Sequence, residues 1–431
     1  YSLRSNTTGT GNTASGARSL FSNAGGGQNT AFGAYSLNGN TAYDNTAVGY
    51  NTLSANTTGT RNTGVGTSAM ITSITANDVT ALGYNALNLN TGSSNTAVGS
   101  TALDTNSSGT NNTAVGYAAL TANTTASNNV ALGYQASYTN ATGTPNTAVG
   151  YQALYANVAS NNDAFGYQTL DSNTTGSNNA AFGTQALQAN TTGSYNTASG
   201  YQSLYSNTTG YNNTAAGNNS LYGNTTGFFN TAFGESALNS NLTASSSTAI
   251  GRNALYNNTT GSNNTAVGYQ ASYTNATGTP NTAVGYQALY ANVASNNDAF
   301  GYQTLDSNTT GTNNAAFGTQ ALQANTTGAY NTASGYQSLY SNTTGTYNVA
   351  LGYFSLYSNT VGSYNVATGP YSLYTNTTGA SNIASGLNSL RLNTTGSYNI
   401  AFGEESLRSN TTASNNTAVG YQASYTNATG T

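Results

Sequence analysis

The sequence predicts an all-β fold, a parallel β-solenoid of about 25 coils with a repeat of 16 or 17 residues. The motif Asn-Thr-Ala-Val-Gly, as at Asn146 to Gly150, recurs along the chain, and successive motif glycines are always 16 or 17 residues apart. A short fixed period throughout a chain is typical of solenoids. The unit is also rich in Asn, Thr, Gly, Tyr and Val, which favour turns and strands over helix.

Each coil is predicted to contain two short strands, Asn-Thr-Ala-Val-Gly and Gln-Ala-Leu-Tyr, joined by a Gly-Tyr corner and a Thr-Thr-Gly loop. Glycine suits a corner because it adopts conformations that other residues resist. The shorter steps lose their residue in the loop, as between Asn157 and Asn162, and loops tolerate changes of length. Residues 1–431 are predicted to form a single continuous array. Because the chain stops inside a repeat, at Thr431, we expect it to be a fragment of a longer chain.

Equivalent positions of successive coils form columns. Leu stands four residues after nearly every motif Gly and is predicted to fill the core. Ala stands two residues before the motif Gly in almost every coil. Neighbouring strand residues face opposite ways, so either this Ala or the variable residue after it points outward. Both alternatives leave a long surface stripe of small or apolar residues, which predicts a homo-oligomer. The predicted structural ladder contains Asn146, Asn157, Asn190, Asn207, Leu154, Leu204, Gly150 and Gly200.

A second Asn follows every motif Gly but Gly66 by seven residues, as Asn157 follows Gly150, and it often opens an Asn-Thr-Thr sequon. One interpretation is N-glycosylation, with candidates at Asn173, Asn190, Asn207, Asn308 and Asn342. However, the Asn persists where the sequon is absent, as at Asn90 and Asn157. That pattern favours the other interpretation, a ladder in which each amide hydrogen-bonds the same amide in the next coil.

Tyrosine forms two further columns, one after the motif Gly and one after the Leu. Stacked rings would reinforce the solenoid. Alternatively, the two columns form a glycan-binding surface, for which the candidate contact residues are Tyr151, Tyr155, Tyr201 and Tyr205. A third interpretation, an ice-binding face made of Thr columns, is less well supported, because the strand offers one Thr per coil.

The composition argues against several classes of function. Charged residues make up 4% of the chain, the net charge is -4, and there is no His or Cys. The six arginines are scattered, so no basic stripe for nucleic acid is present. No apolar run is long enough to span a membrane directly. Two pairs of acids, Asp163/Asp171 and Asp298/Asp306, are copies within a duplicated block. We therefore predict no enzyme, and no catalytic, cofactor-binding or metal-binding residues.

The unit Asn-Thr-Ala-Val-Gly-Tyr-Gln-Ala-Leu, at residues 146–154 and 281–289, resembles the repeats of bacteriophage tail-fibre and related bacterial fibre proteins. More distantly it is similar to the β-roll head of trimeric autotransporter adhesins. The resemblance covers essentially the whole chain. It implies a structural, adhesive extracellular fibre at a cell surface or on a virion appendage. It also implies self-association as a homotrimer or an end-to-end filament, with cell-surface glycans as partners. Here the coil is longer than the adhesin repeat, with the extra residues in the Thr-Thr-Gly loop.

Overall fold

The computed structural model describes residues 1–428 and contains two compact units, Tyr1–Asn213 and Thr214–Thr431. Thr431, where the sequence interrupts a repeat, lies outside the described residues. No helix occurs within residues 1–428, and consequently that part of the chain has none that could cross a membrane. Because each unit is described separately, the single array over residues 1–431 stays a prediction.

Every coil contributes one short strand. Those of the first unit are β1 (Thr13–Ser15), β2 (Thr30–Phe32), β3 (Thr46–Val48), β4 (Thr63–Val65), β5 (Thr80–Leu82), β6 (Thr96–Val98), β7 (Thr113–Val115), β8 (Val130–Leu132), β9 (Asn146–Val149), β10 (Asn162–Phe165), β11 (Ala180–Phe182) and β12 (Thr197–Ser199). Those of the second unit are β13 (Thr214–Ala216), β14 (Thr231–Phe233), β15 (Thr248–Ile250), β16 (Thr265–Val267), β17 (Asn281–Val284), β18 (Asn297–Phe300), β19 (Ala315–Phe317), β20 (Thr332–Ser334), β21 (Val349–Leu351), β22 (Val366–Thr368), β23 (Ile383–Ser385), β24 (Ile400–Phe402) and β25 (Thr417–Val419).

Within each unit, strands of successive coils pair in parallel and in register. Ala148 in β9 pairs with Ala131 in β8 and with Ala164 in β10. In the second unit, Ala283 in β17 pairs in the same way with its equivalents in β16 and β18. Like residues therefore lie above like residues, and the predicted fold class, a parallel β-solenoid with a repeat of 16 or 17 residues, is confirmed.

The predicted second strand is wrong. The segment Gln152–Tyr155 forms consecutive turns, with left-handed backbone at Gln152 and Leu154, both at φ 52°. Alternate left-handed residues prevent the extended conformation that a strand requires. The segment is nonetheless bonded to both neighbouring coils, because Gln152 N–H donates to Tyr134 O at 2.9 Å and Leu154 N–H donates to Thr169 O at 3.0 Å.

Two apolar columns run through the core of the coil. The leucines that follow most motif glycines by four residues, including Leu154 and Leu204, are fully buried. The strand alanines, such as Ala148 and Ala283, are buried as well. The alternative left open by the sequence is thereby resolved: the Ala points inward, and the variable residue before the motif Gly points outward.

The motif Gly forms the corner between the strand and the turns. Gly150 has a φ of 135°, a conformation almost restricted to glycine. A Cβ added there would lie 2.2 Å from Gly166 O in the next coil. Since a β-carbon cannot approach an oxygen so closely, the stacking of coils requires glycine at this corner.

We expect Gly150→Ala to destabilise the first unit by at least about 3 kcal/mol, from backbone strain and the clash with Gly166 O together. The measurement is thermal unfolding, monitored by circular dichroism. Gly25→Ala is the matched control, because Gly25 has no positive φ and its added Cβ would meet only the Thr8 hydroxyl, at 3.2 Å. Equal losses in the two variants would contradict the role of the corner.

Candidate functional site

Two columns of buried asparagines occupy one edge of each coil. The strand asparagines, which come directly before the strand Thr position, include Asn162, Asn179 and Asn196. The loop asparagines, seven residues after the motif Gly, include Asn173, Asn190 and Asn207. All six side chains are at most 1% exposed. A buried amide must find partners for its donors and its acceptor, so these columns carry a strong requirement for hydrogen bonds.

The loop asparagines form the predicted ladder. Asn190 Nδ2 donates to Asn173 Oδ1 at 2.7 Å, and Asn207 Nδ2 donates to Asn190 Oδ1 at 2.8 Å. In the second unit, Asn325 Nδ2 donates in the same way to Asn308 Oδ1 at 2.7 Å. The prediction of asparagine ladders is therefore confirmed in both units.

The two columns converge on a single acceptor, the carbonyl of the loop residue three positions after the loop Asn. Gly193 O accepts from Asn190 Nδ2 and from Asn179 Nδ2, each at 2.9 Å. In addition, Asn196 N–H donates to Asn179 Oδ1 at 2.9 Å. The carbonyl of each such loop is thus held by a loop Asn and by a strand Asn at the same time. That one carbonyl accepts two amide hydrogen bonds was not predicted from the sequence, although the constant Asn spacing was its signal.

The candidate glycosylation residues are all members of the loop column. Asn173, Asn190, Asn207, Asn308 and Asn342 are fully buried, and each donates its Nδ2 to the carbonyl of the loop Gly three residues later. A glycan attached to that nitrogen would displace it from the core. N-glycosylation at these positions stays a prediction, and it would have to precede folding of the coil.

Tyrosines that follow the corner Gly form the corner tyrosine row. In the first unit, Tyr117, Tyr134, Tyr151 and Tyr167 stack with ring centroids 5.1 to 5.3 Å apart and planes within 14° of parallel. Tyrosines after the core position, which is Leu in most coils, form the turn tyrosine row, in which Tyr138 and Tyr155 stack at 5.1 Å. These separations match favourable aromatic stacking, which supports the predicted reinforcing role.

The four candidate glycan-contact tyrosines occupy different environments. Tyr151 lies inside the corner row, with Tyr134 on one face and Tyr167 on the other. Tyr201 belongs to the same row, and the previous coil has Thr184 at this position. Tyr155 and Tyr205 belong to the turn row and are half-buried. Ring faces are therefore available to a ligand only where a row is interrupted.

Glutamines form a third ladder, which was not predicted from the sequence. The residue two positions after the corner Gly is Gln in ten coils of the duplicated blocks, and these amides bond along the solenoid. Gln152 Nε2 donates to Gln135 Oε1 at 3.0 Å, and Gln287 Nε2 donates to Gln270 Oε1 at 2.9 Å. The column was visible in the sequence, but it was assigned to the predicted second strand.

The residues before the corner Gly form the outer stripe, which covers the outward face of the strands. Its large members are exposed, among them Phe32 and Phe182 in the first unit and Phe233 and Phe317 in the second. Phe165 stacks on Phe182 at 5.1 Å, and Phe300 stacks on Phe317 at the same distance. The stripe lies beside one half-buried column, mostly Thr, so the strand face lacks the two Thr columns that an ice-binding face was expected to need.

Carboxylates are few and dispersed. Asp163 is exposed on its strand, whereas Asp171 is half-buried in the turns. Burial raises the pKa of Asp171 and that of its copy Asp306, where a hydrogen bond from Gln323 partly opposes the rise. No group of three or more His, Cys, Asp or Glu that could hold a metal occurs among residues 1–428.

Comparison with protein-family models and with curated proteins finds no match to this chain.

We expect Asn190→Asp to destabilise the first unit by about 3 kcal/mol at neutral pH, because a buried carboxylate would face two acceptors, Asn173 Oδ1 and Gly193 O, without a proton to donate. Burial raises the pKa of such a carboxyl in the folded state. The folded state then binds more protons than the unfolded one, so the loss of stability grows as the pH rises above the unfolded pKa of about 3.9.

The measurement is the free energy of unfolding from pH 3 to pH 8. Thr192→Ala is the control, because it removes the same sequon at an exposed residue and leaves the amide intact. If the two variants were equally stable at pH 7, the ladder would have no energetic role.

Proposed function

We propose that the chain is the shaft segment of a structural, adhesive extracellular fibre whose chains associate side by side through the outer stripe. The observation that carries this proposal is the stripe itself, which recurs in the coils of both units with exposed Phe, Leu, Ile or Val at most positions. Large contiguous apolar patches on a soluble surface are typical of association sites.

The geometry of the coil supports a structural role. Successive coils are joined by backbone bonds in the strand, in the turns and in the loop, as at Thr191 N–H to Thr208 O, 2.9 Å. The buried Asn ladders and the tyrosine rows add side-chain contacts at each step. Lengthening such a molecule requires only more copies of the unit, which is how the block at residues 133–210 recurs at residues 268–345 with two differences.

The stripe supports lateral rather than end-to-end contact as the main mode of assembly. Its side chains point away from the coil, at right angles to the direction in which coils stack. A second or third copy could bury the stripe of each unit, since every copy presents the same column with the same spacing. A homotrimer is the proposed assembly, and the resemblance to trimeric adhesin heads is its second support.

The extracellular location and the non-catalytic role belong to the same proposal. Both are supported by the resemblance to extracellular fibres and by the composition, in which only 4% of residues are charged. The acids of the duplicated block recur at fixed positions in both copies, which reflects duplication of the coil rather than assembly of a reactive pair.

We expect the unaltered chain to be an oligomer of at least twice the 43.6 kDa monomer mass in size-exclusion chromatography with light scattering. Glu at four exposed stripe positions, Phe32, Phe182, Phe233 and Phe317, should convert it to monomers, because an interface core excludes unpaired charge. The four coils are not adjacent, so the new charges do not repel one another strongly within a chain.

The control places Glu at four exposed loop positions, Thr58, Thr192, Thr226 and Thr327. It adds the same charge away from the stripe and should remain oligomeric. A wild-type chain that is monomeric at micromolar concentration would refute the proposed assembly, as would dissociation of both variants.

A further inference from the structure

The corner tyrosine row has gaps of a single coil. At four positions one hydroxyl residue stands between two tyrosines of the row. The four gap residues and their flanking tyrosines are Thr67 between Tyr50 and Tyr84, Ser100 between Tyr84 and Tyr117, Thr184 between Tyr167 and Tyr201, and Thr319 between Tyr302 and Tyr336.

Backbone bonds show that each gap residue lies in line with its flanking tyrosines. Gln185 N–H donates to Tyr167 O at 2.8 Å, and Gln202 N–H donates to Thr184 O at 3.0 Å. The second unit repeats this pattern around Thr319, with the same two distances. A gap residue therefore occupies the place of a missing ring, with one tyrosine a coil below it and one a coil above.

The flanking rings keep the orientation of the row. Tyr302 stacks on Tyr286 at 5.2 Å, and Tyr336 stacks on Tyr353 at 5.5 Å, with planes within 16° of parallel. Their other faces are turned toward the Thr319 gap. Two coil steps separate these rings by about 10 Å, twice the spacing of paired strands. A six-membered ring placed midway would have its centre about 5 Å from each tyrosine ring, so that the C–H bonds on its two faces would point at both tyrosines.

The exposure of the tyrosines indicates that the gaps are open. Tyr151, with a ring on each side, is 41% exposed. Tyr167, with a gap on one side, is 47% exposed, and Tyr84, with gaps on both sides, is 56% exposed. Tyr336, beside the Thr319 gap, is 43% exposed, as is Tyr134 between two rings, so the increase is seen at most of the flanking rings and not at all of them.

Polar groups surround the Thr184 and Thr319 gaps. The gap residue itself carries a hydroxyl, and the residue after it belongs to the glutamine ladder: Gln202 Nε2 donates to Gln185 Oε1 at 2.9 Å, and Gln337 Nε2 donates to Gln320 Oε1 at 2.7 Å. Each gap therefore combines two apolar ring faces with a neutral, hydrogen-bonding floor. A few placed polar groups among aromatic walls are typical of small-molecule sites.

We propose that each gap binds one pyranose ring of a neutral glycan, inserted between the two tyrosines. A pyranose has C–H-rich faces for the rings and hydroxyl groups around its edge for the Thr and Gln side chains. A charged guest would find no opposite charge among the gap residues and their flanking tyrosines. The site is independent of the outer stripe, so it requires neither the fibre nor any oligomer.

The test uses saturation-transfer NMR with cellohexaose, maltohexaose and β-1,4-mannohexaose as probes. We expect at least one probe to receive saturation at the axial C–H protons of its ring faces. Tyr at all four gap positions, Thr67, Ser100, Thr184 and Thr319, supplies the missing rings and should weaken binding by about tenfold or more, because both open faces are then covered. Since this variant completes the row, its unfolding temperature should not fall.

Leu387→Tyr is the matched control. It adds a tyrosine to the same row where the neighbouring residues are Pro370 and Glu404, so it closes no gap, and binding should be unchanged. Conversely, Tyr286→Thr opens a new gap between Tyr269 and Tyr302 and should increase binding.

The proposal is overturned if no oligosaccharide binds the wild-type chain or if the filled variant binds as well as the wild type. It is also overturned if N-acetyltyrosinamide binds the gaps and the sugars do not. Oligomer mass, measured in the same samples, reports separately on the fibre.

Discussion

Coil-to-coil pairing of the backbone, with equivalent residues directly above one another, is the constraint on which the rest of the structure depends. Paired strands lie about 4.8 Å apart, and every column must accept that spacing. At this spacing the corner residue must be glycine, because a Cβ at Gly150 would lie 2.2 Å from Gly166 O. The core leucines stack at this spacing in a left-handed backbone conformation, which strains a non-glycine residue by about 1 to 3 kcal/mol. Such strain persists only where the surroundings determine the conformation, and here Leu154 is fixed by its bond to Thr169 O and by its burial.

The same spacing allows polar side chains to be buried without a large loss of stability. An isolated buried amide is costly, but an amide stacked above an identical amide can donate to one neighbour and accept from the other. The columns reinforce the pairing of strands and do not create it. In the coil where Ser73 and Val79 replace the two asparagines, β5 still pairs in register with β4 and β6. Backbone bonds therefore set the register, and the amides fasten the loop at Gly193 and its equivalents.

Much of this could be predicted from the sequence, because a column is a property of the sequence as well as of the solenoid. The period predicted the coil, and the column of Leu154 and its equivalents predicted the core. The persistence of Asn157 without a sequon predicted the ladder. The conformation of Gln152–Tyr155 could not be predicted, because alternating residue types do not distinguish a strand from turns with alternate left-handed residues. Nor could the outward direction of Phe182, since alternation relates two faces without saying which is inside. The gap at Thr184 has no meaning until the rings on either side are known to stack.

Stacked side chains also determine which parts of the surface can act on other molecules. Within a row, each tyrosine ring has its faces covered by its neighbours, so a complete row such as that around Tyr151 is largely saturated by its own contacts. An interruption leaves two ring faces that the solenoid itself cannot cover, since the coils on either side are held at a fixed distance by backbone bonds. The outer stripe is different, because its side chains point outward from the coil. Only another molecule can bury them. One repeat unit thus produces two kinds of surface: a continuous one suited to a copy of the chain, and isolated gaps suited to a single small ring.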